Sequence, residues 1–498
     1  MTVPFHADEE VMRLAIIRSE LQALTEESVE MDLHRDYFDG DQPLTYSTQQ
    51  FQDVFGAAFK GFSDNWCKVV VNAVNDRLKL IGFNFEDDDD FERAGEIWSA
   101  MKDNDIDEQQ IDLHEGVLVE SQAYMVVWPG DEELTVKLDW QPGQLVRVFY
   151  DPDDRRKPLW AVKRWATDFG EIFVTFYTDE AVWKFKESSS EPSLEERSES
   201  SPSALTEIPG IPGAFAGLTE RKVPGEPHPL EHDFGRVPIV EFNNTSYRSE
   251  IKDTLPQQDA INKTLLDMMI SGEYTADPQK FIETMANEPE GGWKSGPGEV
   301  WHFSPSFDAD MKQVPGQFGT FESGDPANFV KPVEMWLQHV ALSSSTPVRY
   351  FFASDRGGRG DSPSGESLLV DDKPLNDKVA KKHIFLGNRW MEVANLVDIA
   401  LGGDGELKGE PVWQDPRHDF KMALIAEAAA MVTMGIPISF VADRIGLTPE
   451  EVKTLTEALE QAKVEEEAKA EREMVMQEKA MDAKAEAATQ PLAGGSDS

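Results

Sequence analysis

Residues 255–274 read LPQQDAINKTLLDMMISGEY, and within them Ile261, Leu265, Met268 and Met269 recur at three- and four-residue steps. That spacing lines apolar side chains along one face of a helix. Residues 286–324 then break the pattern, with Gly and Pro between short aromatic runs such as EVWHF, which predicts a compact β-containing insertion. A second helix is predicted from about 327, with Phe329, Val333, Leu337, Val340 and Ala341 on one face. Asp325-Pro326 offers one start for it, and Pro332 in a first turn offers another. A helix, a small β insertion and a returning helix make a helical pair with the insertion at its far end.

Working outward toward the C-terminus, residues 351–368 read FFASDRGGRGDSPSGESL, a glycine- and arginine-bearing loop between two helical stretches. The helix after it spans 364–401, with Leu368, Leu375, Val379, Leu386, Val393 and Leu396 in register. Pro374 is expected to kink it, because proline removes a backbone donor and clashes with the preceding turn. Further on, Gly435-Ile436-Pro437 and Gly446 divide short helices, and an Ala/Glu/Lys-rich tail follows.

Toward the N-terminus, Val11, Leu14, Ile17, Leu21 and Leu24 predict a helix over 8–36, and YFDGDQPL turns the chain after it. In FSDNWCKVVVNAVNDRLKLIGF, a stripe of Trp66, Val69, Val70, Ala73, Val74 and Leu78 predicts a second helix ending near Gly82. From about 115 to 185 the pattern changes to runs such as VLVESQAYMVVW, QLVRVFY, WAVKRWA, EIFVTFYT and AVWKFK, which predict a mainly antiparallel sheet. Residues 187–213, rich in Ser, Glu and Pro, have the composition of a flexible surface excursion. The chain is therefore α+β.

The 498 residues have room for two to four domains, and a hydrophobic content of 40% can fill ordinary cores. A formal net charge of -46 opposes any general coating of nucleic acid, since a phosphate binder needs a broad basic footprint. It is compatible with a conduit through which a polyanion passes without being held. Cys67 is the single cysteine, which excludes an intrachain disulfide and a paired-cysteine zinc site and points to a reducing compartment. The first residues mix acids with a helical pattern, so no signal peptide is expected, and no apolar run is long enough to span a bilayer.

Catalytic templates fail one by one. RGGRGDSPSG lacks the lysine of a nucleoside-triphosphate loop, and Ser364 stands where a nucleophile elbow around Ser362 needs glycine. Asp103, Asp105 and Asp107 open like a calcium loop, but Glu108 and His114 occupy the positions that need glycine and a bidentate glutamate. The run Asp87 to Asp90 reads as a hydrated turn, and His339 and His383 as packing or surface residues. No catalytic residue, metal or cofactor is assigned. The Arg-Gly-Asp at 359–361 is discounted as a chance tripeptide. What is left is the loop itself. Arg356 and Arg359 can reach phosphates while Gly357, Gly358 and Gly360 let the backbone bend close, or the loop is a hinge with solvated arginines.

Four stretches, YFDGDQPL with FSDNWCKVVVNAVNDRLKLIGF, LPQQDAINKTLLDMM, SPSGESLL and MGIPISFVADRIGLTPEEV, occur in an order that resembles the portal proteins of tailed bacteriophages, over about residues 8–460. The resemblance is to the branch found in siphophages of actinobacteria. It implies a homo-oligomeric ring, usually a dodecamer, at one capsid vertex of the virion, assembled in the host cytoplasm. Double-stranded DNA would pass through it during packaging and ejection. The implied partners are the terminase large subunit, capsid and scaffolding proteins, and a head-tail adaptor, with no membrane.

Carried over by position, the resemblance implies an α/β wing over 1–245, a first stem helix region over 246–285, a clip over 286–324 and a second stem helix over 325–345. A tunnel loop over 346–363, a long kinked wing helix over 364–410 and a helical crown with an acidic tail over 411–498 complete it. Arg349, Arg356, Gly357, Gly358, Arg359 and Gly360 are the implied DNA-channel residues. Trp293 and Lys294 are candidates for contact between clip and partner, with a packed clip core the competing role for Trp293. Two other readings stay open: an acidic helical scaffolding protein without a channel, and a packaging motor, against which the missing phosphate loop argues.

Overall fold

The computed structural model describes residues 9–42, 63–86, 92–130, 135–187, 217–276, 280–283, 307, 317–320, 325–352 and 370–414. The excursion after Glu187, the EVWHF run, Trp293, Lys294, residues 353–369 and everything after 414 lie outside them. In chain order the helices and strands are α1 (Glu9–Asp39), α2 (Cys67–Asn75), β1 (Leu80–Phe85), α3 (Glu92–Lys102), α4 (Ile106–Glu120), β2 (Gln122–Pro129), β3 (Val136–Pro142), β4 (Val146–Tyr150), β5 (Pro158–Ala166), β6 (Ile172–Tyr177) and β7 (Ala181–Glu187). There follow β8 (Leu218–Glu220), β9 (Leu230–Glu231), β10 (Ile239–Asn243), α5 (Leu255–Ala276), β11 (Lys280–Glu283), β12 (Gln317–Thr320), α6 (Val330–Ser344), α7 (Lys373–Ala400) and β13 (Gly409–Trp413).

The chain divides into two compact units, Met1–Leu78 with Met101–Glu406, and Lys79–Ala100 with Leu407–Ser498. The larger is layered. Antiparallel strands run in the order β10-β2-β3 in one sheet and β4-β5-β6-β7-β8 in another, with β9 added to β7. Because successive side chains on a strand point to opposite faces, Tyr124 and Val126 of β2 join Val146, Val148, Ala161, Tyr177, Val182 and Ile239 in a core between the sheets. The alternate residues of the larger sheet, Val162, Val174, Phe176 and Phe185, meet Ile17 and Leu21 of α1 on its outer face. On the other side of the smaller sheet lie α4 and α7. This is why β2 is buried on both faces, through Ala123, Met125 and Val127 as well. Each fully buried side chain of this size contributes about 1.5–3 kcal/mol.

Local chemistry sets the ends of these elements. Gly40, at φ +87°, ends α1, and the amides of Gly40 and Asp41 both donate to the Asp36 carbonyl at 2.9 and 2.8 Å. That is the left-handed stop that glycine permits. The second predicted helix is shorter than its apolar stripe suggested: α2 stops at Asn75, a turn brings the Leu78 amide to the Asn75 carbonyl at 2.9 Å, and Leu80–Phe85 is a strand. Its antiparallel partner, β13, comes from more than 300 residues downstream, and a distant ladder overrides a local helical period. The start of the predicted sheet region is corrected too, since Val117 to Glu120 close α4 and Ser121, at φ +77°, turns the chain into β2.

In α5, Ile261 and Leu266 are fully buried while Leu265, Met268 and Met269 are half-buried. Gln258 and Asn262, one turn apart on the same helix, are buried as well, and their side-chain oxygens accept from the backbone amides of Trp66 at 2.7 Å and Asp64 at 3.0 Å. The polar half of the QQDAIN run thus holds the entry to α2. Both predicted starts of the returning helix are used: Asp325 caps a 3-10 turn over Pro326–Phe329, and Pro332 lies in the first turn of α6. Helices α5 and α6 pack together. Between them, β11 pairs antiparallel with β12, from Lys280↔Thr320 to Glu283↔Gln317. Just ahead of Pro374, where a kink was expected, the helix is interrupted. A turn at Asp372 separates helical residues 370–371 from α7, and Pro374 stands in the first turn of α7, where no backbone donor is needed.

In the smaller unit, β1 and β13 form a two-stranded ladder. Phe83 stacks on Phe85 at 5.8 Å and meets the edge of Trp98 at 6.1 Å. A Cβ on Gly409 would lie 2.1 Å from the Asn84 carbonyl oxygen, so only glycine permits this approach of the strands.

Candidate functional site

The described residues that flank 353–369 converge. Helix α6 ends at Ser345, φ +56°, and the Thr346 amide donates back to the Ala341 carbonyl at 3.1 Å. One 3-10 turn, Val348–Tyr350, follows. Phe351 is buried, with its ring centroid 5.9 Å from that of Trp66 beside α2. On the far side of the gap, Asp371 and Asp372 precede α7.

Arg349 joins the two sides. Its Nη1 donates to Asp371 Oδ2 at 2.7 Å, and its Nη2 pairs with Asp372. Its guanidinium carbon lies 5.3 Å from the centroid of the Tyr350 ring. Arg77, at the turn after α2, backs the group: Nη2 donates to the Tyr350 hydroxyl at 2.6 Å and stands 3.9 Å from Asp372, while Nη1 donates to the Ala73 carbonyl at 2.7 Å. The Arg77 main chain is itself held, its carbonyl 3.1 Å from His383 Nε2 on α7. The carboxylates keep the Arg349 guanidinium protonated, raising its pKa although burial works the other way.

A second ionic group lies one turn further along α7. Lys378 donates to the Ser344 carbonyl at the end of α6 and pairs with Glu250, and Lys382 reaches Glu250 at 2.9 Å and the Asn244 side chain. Burial alone would raise the Glu250 pKa, but the two ammonium groups overcome it and hold it down to about 2. The end of α6 and the start of α7 are thus joined twice, by Arg349 with its aspartates and by Lys378.

Of the residues implied for the DNA channel, Arg349 is placed here. Arg356, Gly357, Gly358, Arg359 and Gly360 lie outside the described residues, as do Trp293 and Lys294. Sequence reasoning missed Arg77, Tyr350, Asp371, Asp372, Lys378 and Glu250, whose partners lie up to 306 residues apart. The one local signal was Asp-Asp-Lys-Pro at 371–374, acids before a helix-opening proline. Among the described residues, no group of three or more His, Cys, Asp or Glu is placed to hold a metal. Asp105 instead stands at φ +53° before α4. No described helix is long and apolar enough to cross a membrane.

Residues 21–481 match the family described as "Phage portal protein, SPP1 Gp6-like". The chain belongs to this phage portal family. All four stretches that carried the resemblance to portal proteins fall inside or across the matched residues. Among solved structures, this portal-family chain is similar at 10% identity to one titled "Virion of native gene transfer agent (GTA) particle", with a TM-score of 0.40 and coverage of 74% of this chain and 89% of that one. It is similar at 11% identity to one titled "Neck of native GTA particle computed with C12 symmetry", with a TM-score of 0.38 and coverage of 79% and 95%. No curated protein matched the sequence.

Proposed function

We propose that this portal-family chain assembles into a closed ring, a dodecamer, at one vertex of a phage capsid. Double-stranded DNA enters through it during packaging and leaves through it at ejection. The observation that carries the reading is the family match over residues 21–481, nearly the whole chain. In this reading the α5–α6 pair is the stem, the insertion between its helices is the clip that docks the terminase large subunit and later the head-tail adaptor, and residues 346–363 are the loop facing DNA. The larger unit's layered sheets belong to the wing, and residues after 411 to the crown. Arg356 and Arg359 touch the phosphate backbone, which carries no sequence information and so suits a conduit for any genome. A net charge of -46 keeps those contacts weak, so that the duplex moves. The ring performs no catalysis of its own; the motor supplies the work.

The test is electron microscopy of the purified protein together with its native mass. Closed rings of about twelve copies, with an opening of about 20 Å or more to pass a duplex, are expected. A chain that stays monomeric even with capsid and scaffolding proteins present overturns the reading.

A further inference from the structure

We propose that Arg349, backed by Arg77, is a clasp that holds the two ends of the 353–369 segment together, a positioning residue and not a DNA ligand. The clasp itself rests on geometry alone; the denial of DNA contact rests on the portal reading above. The guanidinium is already engaged on two sides. One nitrogen donates to Asp371 at 2.7 Å, another pairs with Asp372, and one face lies over Tyr350. A planar five-donor group matches carboxylates through such a fork, and a phosphate would compete with two carboxylates already seated on it.

Arg349 and Arg77 stand against Asp371 and Asp372, two cations against two anions, so the group as a whole is neutral and offers an approaching phosphate no net attraction. The Asp371 side chain is the most exposed of the four, at 53%, so the outermost charge that a polyanion would meet is negative. Arg349 belongs to the turn after α6, Asp371 and Asp372 precede α7, and Arg77 follows α2. Every ion pair in the group therefore crosses between elements, which is what a fastening needs and what a ligand-binding arginine does not.

The experiment is the rate of trypsin cleavage after Arg356 and after Arg359 in the full-length protein, followed by mass. It is paired with the salt dependence of duplex DNA binding. We expect Arg349→Ala, and separately Asp371→Asn with Asp372→Asn, to raise both cleavage rates at least threefold. Arg349→Lys, which keeps the charge and loses the fork, should be intermediate. For DNA, Arg349→Ala should leave the slope of log affinity against log salt unchanged, whereas Arg356→Ala with Arg359→Ala should reduce it by about 2. Unchanged cleavage in Arg349→Ala overturns the clasp. A fall of about 1 in the salt slope of Arg349→Ala makes it a DNA ligand instead. A wild-type chain that binds no duplex counts against the portal reading alone, and the cleavage rates still decide the clasp.

Discussion

Glu250 is a carboxylate held between two ammonium groups, Lys378 and Lys382, in a setting where all three side chains are at least 83% buried. Removing one partner from a buried ionic group leaves the rest uncompensated, at a cost of about 3–5 kcal/mol. Glu250→Gln should therefore lower the urea midpoint substantially, while Glu171→Gln, which breaks an exposed pair with Lys186, should change stability by less than about 1 kcal/mol. The pH dependence follows from the direction of the shift. The carboxyl titrates at about 2 in the folded chain and near 4.5 in an unfolded one, so its contribution is complete above pH 4.5 and lost as pH falls toward 2. His114 adds an earlier acid loss. Its Nδ1 lies 2.9 Å from the Leu78 carbonyl, and its Nε2 accepts from Trp390 Nε1 at 3.0 Å, which only the neutral ring with its proton on Nδ1 satisfies. Burial chiefly holds its pKa down to about 3, so stability present above pH 6.5 should decline as pH falls from 6.5 toward 3. Urea midpoints between pH 8 and pH 4 should show the decline, and His114→Gln should flatten it.

At the scale of elements, α4 and α7 are tied by that same bond. Trp390→Phe keeps the ring against Phe242, now 4.9 Å from Trp390, and strips the donor from a buried nitrogen. We expect a loss of about 1–3 kcal/mol, read as a lower midpoint in denaturant with an unchanged slope. Pro374→Ala, by contrast, should be nearly neutral, because the first turn of α7 has no use for the missing amide. These elements also show what the amino-acid sequence could and could not reveal. Helix α1, the strands from β4 to β7 and the α5–α6 pair were legible because each repeats its apolar residues at its own period over many residues. The ends of α2 and the start of α7 were not. Leu78 fits the helical stripe of α2 but leads into a strand whose partner is Gly409–Trp413, and no local pattern announces a ladder made at that distance. Arg349 was legible as a cation near the loop. Its occupation by Asp371 and Asp372 was not, since pairing across a gap depends on where α6 and α7 end.

For the whole molecule, charge governs assembly. Copies carrying -46 each repel, and salt screens that repulsion over about 10 Å at 0.1 M. If the ring forms, its share of the native mass distribution should rise between low and moderate ionic strength, opposite to the response of a contact held mainly by ion pairs between copies. Glu187 at the end of β7 is the register partner of Leu218 at the start of β8. Because the two ends pair directly, the strands on either side meet the same neighbours whatever the length of the chain between them. That seam is a natural port. Loop length costs only about 0.6 kcal/mol per doubling, so a short turn or a reporter domain placed there should leave the pairing of the rest of the sheet unchanged.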